Sequence, residues 1–320
     1  MKSVLGTNSQ CEIPLLKHNN LEYSNSLSIS DIFNLYFNNI ASEIERSIPV
    51  VGVDPTILVP KNNFSVFLRP ITIDECLGII SKLKNSKPDL HNLPVYLLKI
   101  FSEMVSPILC DIFNLCLTSG VFPDELKFST ITPVHKKGAR DDLNNYRPIS
   151  VISTISKILE KCIRVRLGNF MEKHNLINPM KFGLLENKST EEAALKFVDI
   201  VQESLEKKVF ALSIFIDFTK AFDTISHVIL LKKLELYGIR GIALKLIASY
   251  LSKRKHRTKV NSWFSSYKTI EIGLPQGSIL SPLLFLFYIN DLFFISTNFH
   301  KIFFADDTTF ILIIIIYLHL

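Results

Sequence analysis

Two adjacent carboxylates, Asp306 and Asp307, stand between apolar runs, with Lys301-Ile302-Phe303-Phe304 before them and Thr308-Thr309-Phe310-Ile311-Leu312 after. Flanks rich in aromatic and β-branched residues predict two strands of a tight hairpin with the acids at its tip. Like charges about 4 Å apart repel by about 4 kcal/mol at a surface-like dielectric, so a half-buried pair calls for a proton or a cation. A divalent metal resolves the conflict. The chain carries its own comparison in Asp141-Asp142, which lies among Gly138, Ala139, Arg140, Asn144 and Asn145, the composition of a solvated turn. A third acid, Asp217, ends the apolar run 209–218, which reads as a central strand. A buried carboxylate there needs partners, and its position permits either backbone amides of a cap or a metal ion.

Around these acids the sequence sets out the elements that must hold them. Lys136, Lys137 and Arg147 fall on two short extended runs joined by a polar turn, a basic hairpin whose grouped cations suit phosphate or simply solvent. Gly273-Leu274-Pro275-Gln276-Gly277-Ser278 is a loop of small residues feeding an apolar helix at 283–292, and such a loop lets backbone approach a ligand closely. Apolar spacing predicts helices at 28–48 behind a Ser30 cap, at 73–83, and from 94 to about 116. Further helices are expected at 153–174, with Lys157, Lys161, Arg164 and Arg166 as a basic face, and from Ser189 to about 206, then at 227–237 and 242–251. Lys253-Arg254-Lys255-His256-Arg257 reads as a solvated turn. Trp263, Phe264 and Tyr267 interleave with Lys259 and Lys268, a pattern that fits base stacking and ordinary strand packing equally.

The totals bound the class. With 48% hydrophobic and 21% charged residues over 320 positions, the chain is expected to fold into subdomains with a real core. Its formal charge of +6 permits a nucleic-acid partner without requiring one. The five cysteines form no metal-site spacing and read as reduced, mostly buried thiols of an intracellular protein, cytoplasmic or nuclear. No signal-peptide core begins the chain, and the apolar run 310–320 is too short to cross a bilayer, so no membrane partner is expected. Residues 1 to about 26 read as a poorly ordered lead-in.

Four stretches in order carry a resemblance: Tyr146-Arg147-Pro148-Ile149-Ser150, Phe215-Ile216-Asp217-Phe218-Thr219-Lys220-Ala221-Phe222-Asp223, Gly273 to Pro282, and Phe304-Ala305-Asp306-Asp307-Thr308. Together they make the chain, from about residue 34 to 310, resemble a reverse transcriptase of the non-LTR (LINE-type, jockey-like) retrotransposons. The resemblance implies an α+β right-hand polymerase, with fingers and an antiparallel palm sheet backed by helices. It implies that Asp217, Asp306 and Asp307 hold two Mg²⁺ ions, with Mn²⁺ a possible substitute, for nucleotidyl transfer. By the same matching, Lys137 and Arg147 grip the triphosphate, Phe222 is the aromatic gate against a ribose 2′-hydroxyl, and Gln276 and Gly277 line the nucleotide and template pocket. The implied partners are an RNA template, a DNA primer and deoxynucleoside triphosphates.

The expected layout is a lead-in with helix and linker over 1–62, a helical extension over 63–125, fingers over 126–206 and palm over 207–320. Departures from the family pattern are specific. Leu184-Leu185 follow Gly183 where Phe-Arg is usual, and the loop 86–92 lacks the usual glycines. The chain runs thirteen residues beyond Asp307, so the thumb is expected to be missing and the element truncated. An inactive element fragment retaining at most nucleic-acid binding is the alternative of different class.

Overall fold

Asn25 starts the first helix. Its side chain accepts hydrogen bonds from the amides of Leu27 and Ser28, and α1 (Ser26–Ser47) follows. The expected cap, Ser30, lies inside the helix instead, fully buried, with its hydroxyl donating to the Leu27 carbonyl. The computed structural model describes residues 13, 15–18, 21–49, 52–85, 89–91, 93–185 and 188–314. Cys11, most of the 86–92 loop and the tail beyond 314 lie outside them. Within the expected lead-in, β1 (Leu16–His18) and β2 (Leu21–Tyr23) form an antiparallel pair. Leu16 joins Ile29, Phe33 and Phe37 of α1 in one buried cluster, so this segment has apolar partners.

A helical core comes next. Thr72 caps α2 (Ile73–Ser81), and Asp74 and Glu75 occupy its first turn, where the helix dipole favours acids. The single helix expected from 94 divides at Phe101 into α3 (Val95–Ile100) and α4 (Ser102–Ser119), because Phe101 leaves the helical region (φ −95°, ψ 16°). In α5 (Thr154–Lys173) the expected basic face is only partly so. Arg166 is buried and points at Glu75 (2.8 Å and 3.0 Å) and at the carbonyls of Arg69 and Pro70, tying α5 to α2. Lys157, Lys161 and Arg164 are half-buried rather than fully solvated. The helices α7 (His227–Leu236), α8 (Gly241–Leu251) and α9 (Ser281–Ile289) pack with α4 and α5 around Ile158, Leu159, Leu246, Leu284 and Phe285. Cys76, Cys110, Cys116 and Cys162 are free and buried in this core.

Two sheets flank it. The first has the order β4-β3-β6-β7, from β3 (Phe128–His135), β4 (Tyr146–Ile152), β6 (Arg254–Val260) and β7 (Trp263–Phe264), with β8 (Lys268–Ile270) also on β6. The basic hairpin is real: β3 and β4 are antiparallel, with Val134 opposite Arg147. The turn expected at 253–257 is instead the start of β6, parallel to β3. Arg254, His256, Thr258 and Val260 point inward at period two, a pattern the charges on the sequence conceal. The aromatic rings nearby are engaged by the chain's own cations, with the Arg257 guanidinium 4.0 Å from the Phe264 centroid and 5.1 Å from that of Tyr267.

The second sheet has the order β5-β10-β9, from β5 (Phe210–Asp217), β9 (Phe299–Phe304) and β10 (Asp307–Ile314). The run expected to be a central strand is therefore an edge. β10 takes the centre, and Phe210, Leu212, Ile214 and Phe215 of β5 stay exposed. Capped by Ser189 as expected, α6 (Thr190–Glu206) packs on one face of this sheet through Ala193 and Ile200 against Ile302 and Ile311. Among the described residues no helix is long and apolar enough to cross a membrane.

Candidate active site

The acidic hairpin expected from the sequence is present, and its register brings in the third acid. β9 and β10 meet at Phe304 opposite Asp307, with Ala305 and Asp306 in the turn. Ala305 sits at φ 54°, the left-handed backbone that lets so short a connection close. Asp307 lies directly opposite Asp217 across the β5–β10 ladder. Directly opposed residues of an antiparallel pair have Cβ atoms about 5 Å apart, so two carboxylates 90 positions apart in sequence share one end of the sheet. Burial, then Asp306, then Asp217 hold the Asp307 carboxyl above the usual carboxylate range, while Lys136 pulls it back. Asp217 ends a strand and caps no helix.

Beneath the turn lies a residue the sequence did not single out for this purpose. Met180 and Phe182 bond to both sides of Phe303, the Met180 carbonyl accepting from its amide at 3.0 Å and the Phe182 amide donating to its carbonyl at 2.8 Å. This extends β9 by an edge and drives Gly183 under the acids, where a Cβ would stand 2.1 Å from the Ala305 amide nitrogen. Backbone cannot yield like a side chain, so Gly183→Ala is expected to displace the acidic turn and lower any metal-dependent activity at least tenfold, an effect of about 1.4 kcal/mol or more. Turnover measured alongside the melting temperature checks this, since a mere loss of stability would lower both together.

The glycine-and-proline loop is pinned on both sides. The Leu274 amide donates to the Phe222 carbonyl (2.8 Å) and the Ser150 amide of β4 donates to the Gln276 carbonyl (2.7 Å). Gly277 has φ 116°, and a Cβ there would approach the Ser150 carbonyl oxygen to 2.5 Å, so the loop lies flush against the basic hairpin. Its far end is fixed by Glu160 of α5, which is fully buried. The Glu160 carboxylate accepts from the Ser278 hydroxyl (2.6 Å), the Ile279 amide (2.8 Å), the Leu280 amide (3.3 Å) and the Ser156 hydroxyl (3.1 Å). A lone acid on the apolar face of Ile158, Leu159, Cys162 and Ile163 was the available signal for it.

Phe222 follows β5 in a turn and stacks on Phe285 of α9, centroids 4.5 Å apart and planes 15° apart. Its neighbour Asp223 accepts from the Gln276 side-chain amide at 2.8 Å and 3.0 Å. Loss of hydration raises the Asp223 carboxyl from 3.8 to about 6, with Gln276 and Lys220 opposing the rise. Of the cations, Lys137 and Arg147 are both exposed. Lys136, rather than Lys137, is the one whose charge reaches Asp307. Lys220, on the turn after β5, is half-buried within reach of the Tyr146 carbonyl (3.5 Å), and burial followed by the fields of Lys136 and Arg147 lowers its pKa against the pull of Asp223. Sequence reading missed Lys220 and Asp223, although both stand within the stretch that carries Asp217 and Phe222.

Among the described residues no group of three side chains is already assembled as a metal cage. The donor set nevertheless suits a hard divalent ion: three carboxylates at one sheet end, one held above its usual range by burial and then by its like-charged neighbours. Magnesium takes oxygen ligands and keeps several waters, so it does not require a closed protein cage.

The sequence model of the family described as reverse transcriptase (RNA-dependent DNA polymerase) matches residues 134–313, from the end of β3 into β10. The RNA-directed DNA polymerase from mobile element jockey of Drosophila melanogaster is 31% identical over 230 residues, which are 71% of this chain and 25% of that protein. Its Drosophila funebris counterpart is 32% identical over 225 residues, 70% of this chain and 24% of that protein. A probable RNA-directed DNA polymerase from transposon BS of Drosophila melanogaster is 29% identical over 236 residues, again 71% and 25%. The chain thus spans about a quarter of the length of these relatives. With a matched segment that contains the paired acids, the pinned loop and the cations of the basic hairpin alike, the chain belongs to the reverse transcriptase family, on the side of the jockey-like mobile elements.

Proposed function

We propose that this chain is the fingers and palm of an RNA-directed DNA polymerase that copies an RNA template from a DNA primer with deoxynucleoside triphosphates. The observation that carries the reading is the register of Asp307 on Asp217, with Asp306 beside them and the Gln276–Gly277 loop close by through Phe222. In this reading the β5-β10-β9 sheet is the palm, within 207–320, and the β3–β4 hairpin belongs to fingers over 126–206, with a helical extension over 63–125. The names of the relatives support the activity. Four buried free thiols fit a reducing intracellular setting, cytoplasmic or nuclear.

Asp217, Asp306 and Asp307 are the residues that would hold two Mg²⁺ ions. Bound there, the ions supply activation of the primer 3′-hydroxyl and stabilisation of the in-line transition state. The chain's own groups do the rest. Arg147 and Lys137 are exposed on the basic hairpin to meet the triphosphate, and Lys136 adds charge nearer the acids. Phe222, braced by Phe285, closes the pocket against a ribose 2′-hydroxyl, and Gln276 with Gly277 lines it.

The test is extension of a DNA primer annealed to RNA. Mg²⁺-dependent product is expected, lost with chelator; no product with Mg²⁺ present overturns the reading. Phe222→Ala is expected to relax discrimination against ribonucleotides by about a hundredfold, the ~2.7 kcal/mol of a lost steric exclusion. Unchanged relative incorporation of ribo- and deoxynucleotides would reject the gate.

A further inference from the structure

We infer that Asp223 is a positioning residue that fixes the Gln276 side-chain amide, presenting its carbonyl oxygen to an O–H or N–H donor of the bound nucleotide. The inference rests on the polymerase reading above. Its ground is the geometry of one pair. Gln276 Nε2 lies 2.8 Å from one Asp223 carboxylate oxygen and 3.0 Å from the other. An ionised carboxylate only accepts hydrogen bonds, so the glutamine must turn its NH₂ towards it. Oε1 then points elsewhere.

Among the described residues no group donates to Oε1, and it is not among the sealed, unpartnered atoms of the interior. An acceptor is therefore free on the side of the loop away from Asp223. The surrounding backbone leaves few other degrees of freedom. Gln276 is held through its own carbonyl by the Ser150 amide, and the Asp223 amide donates to the Lys220 carbonyl at 2.8 Å. The next loop contact, Gly273, leaves no room for a Cβ, which would fall 2.5 Å from the Asp223 carbonyl oxygen. What remains is rotation of the amide itself, which exchanges a donor for an acceptor at the pocket wall. Asp223 removes that choice. A charged partner also makes the bond stronger than a neutral one would be.

The test uses the full chain on an RNA template whose DNA primer ends in a dideoxynucleotide, so that dTTP with Mg²⁺ binds without turnover. Asp223→Leu is expected to weaken dTTP binding about tenfold, the worth of a net hydrogen bond to a charged group. Asp223→Asn keeps an oxygen for Nε2 and is expected to stay within about threefold. Gln276→Ala should cost as much as Asp223→Leu, and the double variant no more than Gln276→Ala alone. Normal dTTP binding by Asp223→Leu beside a weakened Gln276→Ala, or additive losses, would overturn the inference and leave the polymerase reading standing. If the unaltered chain binds no dTTP, the polymerase reading fails instead. The pair is then judged by the Gln276 side-chain amide protons in nitrogen-edited NMR, expected to exchange slowly in the unaltered chain and faster in Asp223→Leu; equal exchange overturns it.

Discussion

Asp217→Asn is expected to lower single-turnover primer extension about a thousandfold, the ~4 kcal/mol that a group stabilising transition-state charge supplies. The amide keeps the shape of the carboxylate and loses its negative charge. Opposite it, burial and then the charges of Asp306 and Asp217 hold the Asp307 carboxyl above the usual range. Removing one of these charges relieves the folded protein while disarming the proposed metal site. Stability and activity should therefore part company: the melting temperature is expected to hold or rise as extension collapses. Extension within tenfold of the unaltered chain would exclude Asp217 as a ligand. A parallel fall in melting temperature would make it a structural residue.

Glu160→Ala is expected to produce the opposite pattern, a loss of about 3–5 kcal/mol in folding stability from several buried donors left without an acceptor. Two backbone amides and two hydroxyls converge on this carboxylate, which has no exposed surface. Ser278 also bonds Tyr250 of α8 at 2.7 Å, so the damage should spread from the loop into the helical core. Glu160→Gln retains one oxygen and should cost about 1–2 kcal/mol. Urea denaturation of both variants gives the comparison. Equal costs would mean that burial of the side chain, rather than its acceptors, holds the loop.

The acidic tip was legible because its flanks are rich in aromatic and β-branched residues that favour strands, and because a solvated acid pair elsewhere in the chain looks different. Asp217 was legible as a strand end but not as an edge, since an apolar run records burial preference and not the identity of its neighbours. β6 was hidden for a different reason. Arg254 and His256 point inward with their polar atoms, so the inward face reads as charged and period two disappears. Helix starts were placed well at Thr72 and Ser189 and poorly at Asn25, whose side chain also caps its helix but competed with several nearby serines. Pairs joined only by the fold left little local trace. Asp223 and Gln276 lie 53 positions apart, and Glu160 and Ser278 lie 118 apart.

The close approach of Gly183 to the Ala305 turn has a kinetic meaning. Asp307 can be set in place only when residues 180–183 and strand β5 have both met the β9–β10 hairpin, which lies about 90 to 120 positions beyond them. Loops of that length close slowly, and topologies rich in such contacts fold slowly. The hairpin can form by itself, but its acids acquire their partners only on docking. During synthesis the acidic cluster thus assembles only after the helical core has its chain in hand.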